Sequence, residues 1–117
     1  MIRVRAVLDD EGCLSSVSVT GHAAVPRGAP GGSVVCAAVT AVVRSCADAI
    51  AHRPAIVASG AASGPGALRV EIRSRGADRD WLRGVTDVML SGLARIAGEA
   101  PGEVDVMIER TGEDHGA

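Results

Sequence analysis

Alternating apolar and polar residues mark most of the strands that the chain is expected to form. The alternation is clearest at 2–9 (IRVRAVLD) and 14–20 (LSSVSVT), on either side of a short Asp- and Gly-containing turn. This pattern predicts a β-hairpin with one buried face. Three further strands are predicted at 55–59 (AIVAS), 67–74 (ALRVEIRS) and 103–109 (EVDVMIE), with a Gly-rich turn at 60–66.

Two longer segments have helical spacing. Residues 34–52 (VVCAAVTAVVRSCADAIAH) are apolar nearly all round, with Arg44 and Asp48 as the only formal charges, whereas 79–98 has one apolar and one charged face. The resulting order, β-β-α-β-β-α-β, predicts an α+β fold: a layered antiparallel sheet with two helices packed against it. We expect a single domain over residues 1–112 and a flexible tail at 113–117.

The helix at 34–52 lacks the polar face of an ordinary surface helix. In a chain of 117 residues, one sheet does not readily cover such a helix on every side. We therefore expect a second copy of the chain to cover the remaining face, giving a homodimer. The alternative is a central helix that its own fold buries completely.

Composition excludes several classes of function. The net charge is −2 and all twelve basic residues are Arg, so a lysine-dependent phosphate loop and a broad nucleic-acid footprint are not expected. The chain has no Tyr or Phe on which bases could stack. No uninterrupted apolar run approaches the roughly 20 residues of a membrane span, and the N-terminus resembles a strand rather than a signal peptide. We expect a cytoplasmic protein that acts without nucleic acid or a membrane.

The three cysteines, Cys13, Cys36 and Cys46, are odd in number and have no CxxC spacing. Neither a disulfide framework nor a zinc site is predicted, so all three are expected to be free thiols. Cys13 and Cys46 have apolar or turn neighbours and are interpreted as structural.

Candidate chemistry is concentrated between residues 21 and 41. His22 follows the second strand, and a Gly/Pro-rich loop at 23–33 leads to Ser33, a candidate N-cap, and Cys36 in the first turn of the helix. The helix N-terminus favours a thiolate and offers N–H groups to an oxyanion, while the histidine can exchange a proton with the thiol. The loop, with Gly28, Gly31 and Gly32, could close over a peptide. These parts suit a cysteine peptidase; the alternative is that Cys36 is a small core residue.

The segments Val19-Thr20-Gly21-His22-Ala23 and 34–41 (VVCAAVTA) resemble the signature of the ribosomal-processing cysteine proteases, the Prp family. The resemblance implies a homodimeric peptidase with a His22–Cys36 dyad and no metal or other cofactor. It also implies a substrate, the N-terminal extension of a bacterial large-subunit ribosomal protein, over which the loop orders. The chain departs from the family pattern in having Ser33 where Asp is usual and in a longer loop.

Two other functions remain open at this stage. One is a non-catalytic dimeric module of the same fold that engages the ribosome. The other is a thiol-based redox sensor in which Cys13 would resolve an oxidised Cys36.

Overall fold

The computed structural model describes residues 1–21, 32–64, 67–74 and 76–111. The predicted order of strands and helices is confirmed. The chain forms β1 (Ile2–Leu8), β2 (Leu14–Thr20), α1 (Gly32–Ala51), β3 (Ile56–Gly64), β4 (Ala67–Ser74), α2 (Arg79–Glu99) and β5 (Val104–Arg110). The tail predicted at 113–117 lies outside the described residues.

The five strands form one sheet in the order β3-β4-β2-β1-β5. Strands joined by short turns pair antiparallel as predicted, but β5 pairs parallel with β1, from Ile2↔Val104 to Leu8↔Arg110. The sheet is therefore mixed rather than purely antiparallel. The reason is the connection: the 21-residue helix α2 carries the chain across the sheet, so β5 can start at the same end as β1.

Strand β3 is longer than its sequence indicated. Residues 60–64 of the predicted loose turn at 60–66 belong to β3 instead, with Gly60 opposite Val70, Ala61 opposite Arg69 and Gly64 opposite Ala67 of β4. Gly and Ala are poor strand formers, so local propensity favoured a loop. Pairing with one neighbour is enough to hold them extended, because β3 is an edge strand.

Both helices contact the sheet and each other. The core contains mostly aliphatic residues: Ile2, Val4, Ala6 and Leu8 of β1, Leu14, Val17 and Val19 of β2, Val39, Val43 and Ile50 of α1, and Leu82, Met89 and Leu93 of α2. A shift in the β1–β2 register between Val7↔Ser16 and Leu8↔Leu14 lets Leu14 and Val17 both be buried, although they are three residues apart.

Polar contacts join the β1–β2 turn to α2. One oxygen of Asp9 accepts the backbone N–H of Glu11 and Cys13, and the other accepts Arg79 at 2.6 Å. Burial acts to raise the pKa of the Asp9 carboxyl, but these hydrogen bonds and the charge of Arg79 outweigh it and hold that pKa below its ordinary value.

The buried hydroxyl of Thr86 fastens the start of β2 to the same helix. It accepts the Leu14 N–H at 3.1 Å and donates to the Leu82 carbonyl at 2.7 Å. Both the donor and the acceptor capacity of this hydroxyl are therefore used inside the core.

Helix α1 is only partly covered by its own chain. Of the window Val34–Ala51, 17% of residues are buried, and Val34 is 67% exposed. The alternative in which the fold itself buries this helix completely is wrong. By length and composition alone the window could also cross a membrane, contrary to the sequence prediction, because Val and Ala outweigh two charges when hydropathy is averaged. The core helix of a globular protein can have the same length and hydropathy. α1 contacts α2 and β3, and its Val39, Val43 and Ile50 belong to the core.

Candidate active site

The end of β2 and the start of α1 lie at the same end of the sheet. Register places Thr20 opposite Ala67, and Ala67 opposite Gly64 at the end of β3. The last two turns of α1 lie beside residues 58–61 of β3, and a short connection joins the two elements, so they run antiparallel. The N-terminus of α1 therefore points to the end of the sheet at which β2 finishes.

Gly21 turns the chain out of β2 immediately before His22. Its φ is +87°, and a Cβ at this position would collide with the backbone carbonyl oxygen of Met1. Both the left-handed backbone and the close approach of Met1 require glycine. The sequence analysis did not single out Gly21 as a site residue, although its place between Thr20 and His22 was the available signal.

Cys36 is the fifth residue of α1. It is half-buried and packs against the edge of the core, so its thiol is neither sealed off nor fully solvated. Side chains on a helix point back towards its N-terminus, which directs the sulfur towards the first turn and its unpaired N–H groups. A thiolate there can attack a carbonyl group, and the same N–H groups can receive the resulting oxyanion.

Other members of the predicted site lie outside what the structure describes. His22, Gly28 and Gly31 are outside the described residues, as is the side chain of Ser33. The backbone corrects one detail: α1 begins at Gly32, two residues before its predicted start. Ser33 is therefore the second residue of the helix and does not precede it as a cap. The dyad and the substrate-gating role of the loop remain predictions.

The other two cysteines have structural surroundings. Cys13 is 2% exposed, and its Sγ–H donates to the Arg79 carbonyl at 3.3 Å. Burial raises the pKa of the Cys13 thiol, and burial likewise raises that of Cys46, which packs half-buried against the core. Within the described ranges, no three His, Cys, Asp or Glu side chains come together as metal ligands.

Solved structures share this fold. The SMU.848 protein of Streptococcus mutans is 24% identical, with a TM-score of 0.76 over 95% of this chain and 96% of its own. The ribosomal processing protease Prp of Staphylococcus aureus, in complex with a covalently linked product peptide, is also 24% identical with a TM-score of 0.76. That match covers 93% of this chain and 100% of the S. aureus chain. The same protease with a substrate peptide gives 25% identity and a TM-score of 0.73 over the same fractions.

No curated protein matches the sequence significantly. The family model described as cysteine protease Prp matches residues 1–105, which span all five strands, in whole or in part, and both helices. That range includes the strand end, the Gly21 turn and the helix start described above. The chain belongs to the Prp family of cysteine proteases.

Proposed function

We propose that this cysteine protease removes an N-terminal extension from a bacterial large-subunit ribosomal protein, with Cys36 as nucleophile and His22 as base. The observation that carries the proposal is the position of Cys36 at the start of α1, where a half-exposed thiol lies one turn from unpaired backbone N–H groups. His22 directly follows Gly21 in the sequence, and Gly21 turns the chain out of β2 at the same end of the sheet.

The first half-reaction forms an acyl-enzyme. The Cys36 sulfur, its proton transferred to His22, attacks the scissile carbonyl carbon and forms a C–S bond. Negative charge develops on the carbonyl oxygen, which the N–H groups in the first turn of α1 receive. As the intermediate collapses, the C–N bond breaks and the His22 imidazolium gives its proton to the leaving amine.

The second half-reaction releases the enzyme. His22 takes a proton from water, the resulting hydroxide attacks the thioester carbon, and the C–S bond breaks to regenerate the Cys36 thiolate. No redox partner or metal ion takes part. A covalently linked product peptide on the S. aureus protease supports this covalent route, and that protein's description as a ribosomal processing protease supports the proposed substrate.

The two alternative functions fit less well. A redox sensor would need Cys13 near Cys36, but Cys13 precedes the start of β2 whereas the N-terminus of α1 points to the other end of that strand. A non-catalytic module is disfavoured because the chain belongs to a family of cysteine proteases.

Cleavage of a peptide that spans the extension junction of the host's ribosomal protein tests the proposal. Cys36→Ser should abolish cleavage, because the hydroxyl is far less nucleophilic than the thiolate. His22→Ala should slow it by about 10²- to 10⁴-fold, the usual contribution of a general base. Cys46→Ser, on the same helix, is the matched control and should cleave normally. Undiminished cleavage by Cys36→Ser would exclude the mechanism.

The proposal includes a homodimer in the cytoplasm, where free thiols stay reduced. Val34, Ala37, Ala41, Ser45 and Ala49 form an exposed row along α1 that we call the outer stripe. Near its C-terminal end the stripe borders an apolar groove of about 560 Å³ against Trp81, Val85 and Val88 of α2.

The small side chains of the outer stripe allow a second helix to approach closely. Light scattering at micromolar concentration should return twice the 11.8 kDa chain mass. A monomer mass across that range would contradict this part of the proposal.

A further inference from the structure

We propose that the groove between α1 and β3 binds an extended, uncharged segment of the substrate, several residues from the scissile bond. The groove has a volume of about 290 Å³ and is lined by Ala47 and Ala51 of α1, Ala58 and Gly60 of β3, and Leu68 of β4. The inference rests on the proposed function, because it treats Cys36 as the point at which the substrate is cut.

The groove lies on the side of α1 that carries Cys36. At 100° per residue, Ala47 and Ala51 lie within about 60° of Cys36 around the helix axis. Exposed Thr40 lies between Cys36 and Ala47 along that axis. At 1.5 Å per residue, Ala47 is about 16 Å from Cys36 along the axis. An extended peptide covers that distance in about five residues. A chain held at Cys36 can therefore continue into the groove without a bend.

The outer wall of the groove is the free edge of the sheet. β3 pairs with β4 on one side and with no strand among the described residues on the other. An edge strand offers a row of backbone N–H and C=O groups, to which an extended peptide can add as a further strand. An adjacent groove then receives alternate side chains, which is how such added strands are selected.

The floor and the rim favour an uncharged segment. Ala58 and Gly60 are the inward-facing residues of β3 beside the groove, and their small size creates the space. On the rim, Arg44 and Asp48 are exposed, and neither forms an ion pair with another residue that the structure describes. Because the rim charges have opposite signs, it favours neither a strongly acidic nor a strongly basic peptide.

Substitutions that enlarge the side chains on the floor of the groove test the proposal. Ala58→Leu fills the groove directly. Gly60→Val is also compatible with the fold, since an added Cβ meets the Arg69 carbonyl oxygen at 3.5 Å and a Val70 methyl at 3.7 Å, both ordinary contacts. Val57→Leu is the matched control: its side chain is 68% exposed and lies on the other face of the same strand. Circular dichroism and thermal unfolding verify that each variant folds.

Binding is measured by fluorescence anisotropy with the labelled junction peptide and Cys36→Ala protein, so that no cleavage occurs. We expect Ala58→Leu and Gly60→Val to raise the dissociation constant at least 10-fold and Val57→Leu to change it less than 2-fold. A peptide trimmed to two residues on each side of the scissile bond should be insensitive to all three changes. Methylating peptide amides one at a time should weaken binding at every second position, as strand addition requires.

Cleavage by the enzyme with Cys36 intact separates the two proposals. If that enzyme cleaves the peptide while the filled variants bind and cleave like it, the groove proposal is overturned and the proposed function stands. If the peptide binds but is never cleaved, the proposed function is overturned and the anisotropy series alone decides on the groove. Absence of binding, or a change of molecular mass in Ala58→Leu that marks the groove as a contact between copies, also overturns the groove proposal.

Discussion

The two helices have similar lengths, but their exposed surfaces differ in charge and polarity. α1 buries Val39, Val43 and Ile50 and presents the outer stripe of small or apolar residues on its exposed side. α2 buries Leu82, Met89 and Leu93, and half of its exposed residues are charged, among them Arg83, Asp87 and Arg95.

The comparison indicates that α2 mainly stabilises the fold, whereas α1 provides the surfaces for contacts with other chains. α2 meets the sheet on one side and water on most of the other, and its polar contacts to the β1–β2 turn hold the fold together. α1 carries the proposed nucleophile, borders both grooves and has Arg44 and Asp48 as its charged residues, both exposed. A helix that exposes small and apolar residues on sides its own fold leaves uncovered is suited to contacts with other chains, which we propose are the substrate and a second copy.

The largest expected effect comes from placing a charge on the inner side of α1. Val43 is 1% exposed, so Val43→Asp puts an unpaired carboxylate in the core. We expect the free energy of unfolding to fall by at least about 4 kcal/mol, enough to unfold much of the protein at 25 °C. Denaturant unfolding measures the change, and a loss below about 1 kcal/mol would mean that α1 contributes little to the core.

The same charge on the outer stripe should leave the fold intact but separate the proposed dimer. Ala41 is exposed in the single chain, so Ala41→Asp should change the free energy of unfolding of the monomer by less than about 0.5 kcal/mol. If two outer stripes meet, like charges face one another, and dimerisation should weaken by about 3 kcal/mol or more. Sedimentation equilibrium measures the mass, with Arg95→Glu on α2 as the control. A dimer of unchanged affinity would locate the interface elsewhere.

A smaller effect is expected at the polar contact between α2 and β2. Thr86→Val keeps the shape of the side chain but leaves the buried N–H of Leu14 without its acceptor. Stability should fall by about 1–3 kcal/mol, the cost of an unsatisfied buried donor. Thr86→Ser retains the hydroxyl and is the control in the same unfolding experiment. Equal stability of the Val and Ser variants would show that this hydrogen bond does not anchor α2.

The smallest effect depends on pH. The folded-state pKa of Asp9 is lowered, so its contribution is fully present above the ordinary aspartate value and is lost as pH falls through the folded-state pKa. Asp9→Asn should therefore lower stability by about 1 kcal/mol at pH 7 and cost progressively less below about pH 4. Urea unfolding across pH 2–7 measures the difference, with exposed Asp10→Asn as the control. A pH-independent difference would contradict the role assigned to the carboxylate.

Sequence periodicity predicted the elements whose side chains repeat regularly. The strands at 2–9, 14–20 and 67–74 and the helix at 79–98 match β1, β2, β4 and α2 closely, because burial of one face imposes the repeat. It missed the second half of β3, where Gly and Ala carry no repeat and only pairing with β4 fixes the backbone. The parallel direction of β5 also depends on where α2 crosses the sheet, which local pattern does not encode.

The candidate site also has features that the sequence predicts and features that depend on tertiary contacts. Cys36 could be found from its place at the start of an apolar helix, and the structure puts it there. The need for glycine at position 21 could not be predicted in the same way, because it arises partly from the close approach of Met1, a neighbour in space but not in sequence. The groove above Gly60 likewise depends on the relative placement of α1 and β3, two elements whose separate patterns say nothing of the gap between them.

The position of Trp81 gives the protein a built-in optical signal. The chain has one Trp and no Tyr or Phe, so its near-ultraviolet absorbance and intrinsic fluorescence come almost entirely from this indole. One face of the ring is covered by the Arg53 guanidinium, 4.1 Å from its centroid, and the ring also lines the groove beside the outer stripe. Emission therefore reports how much water reaches that groove. If the proposed second copy covers that groove, dilution should shift the emission to longer wavelength as the copies separate, which makes dissociation visible without any attached dye.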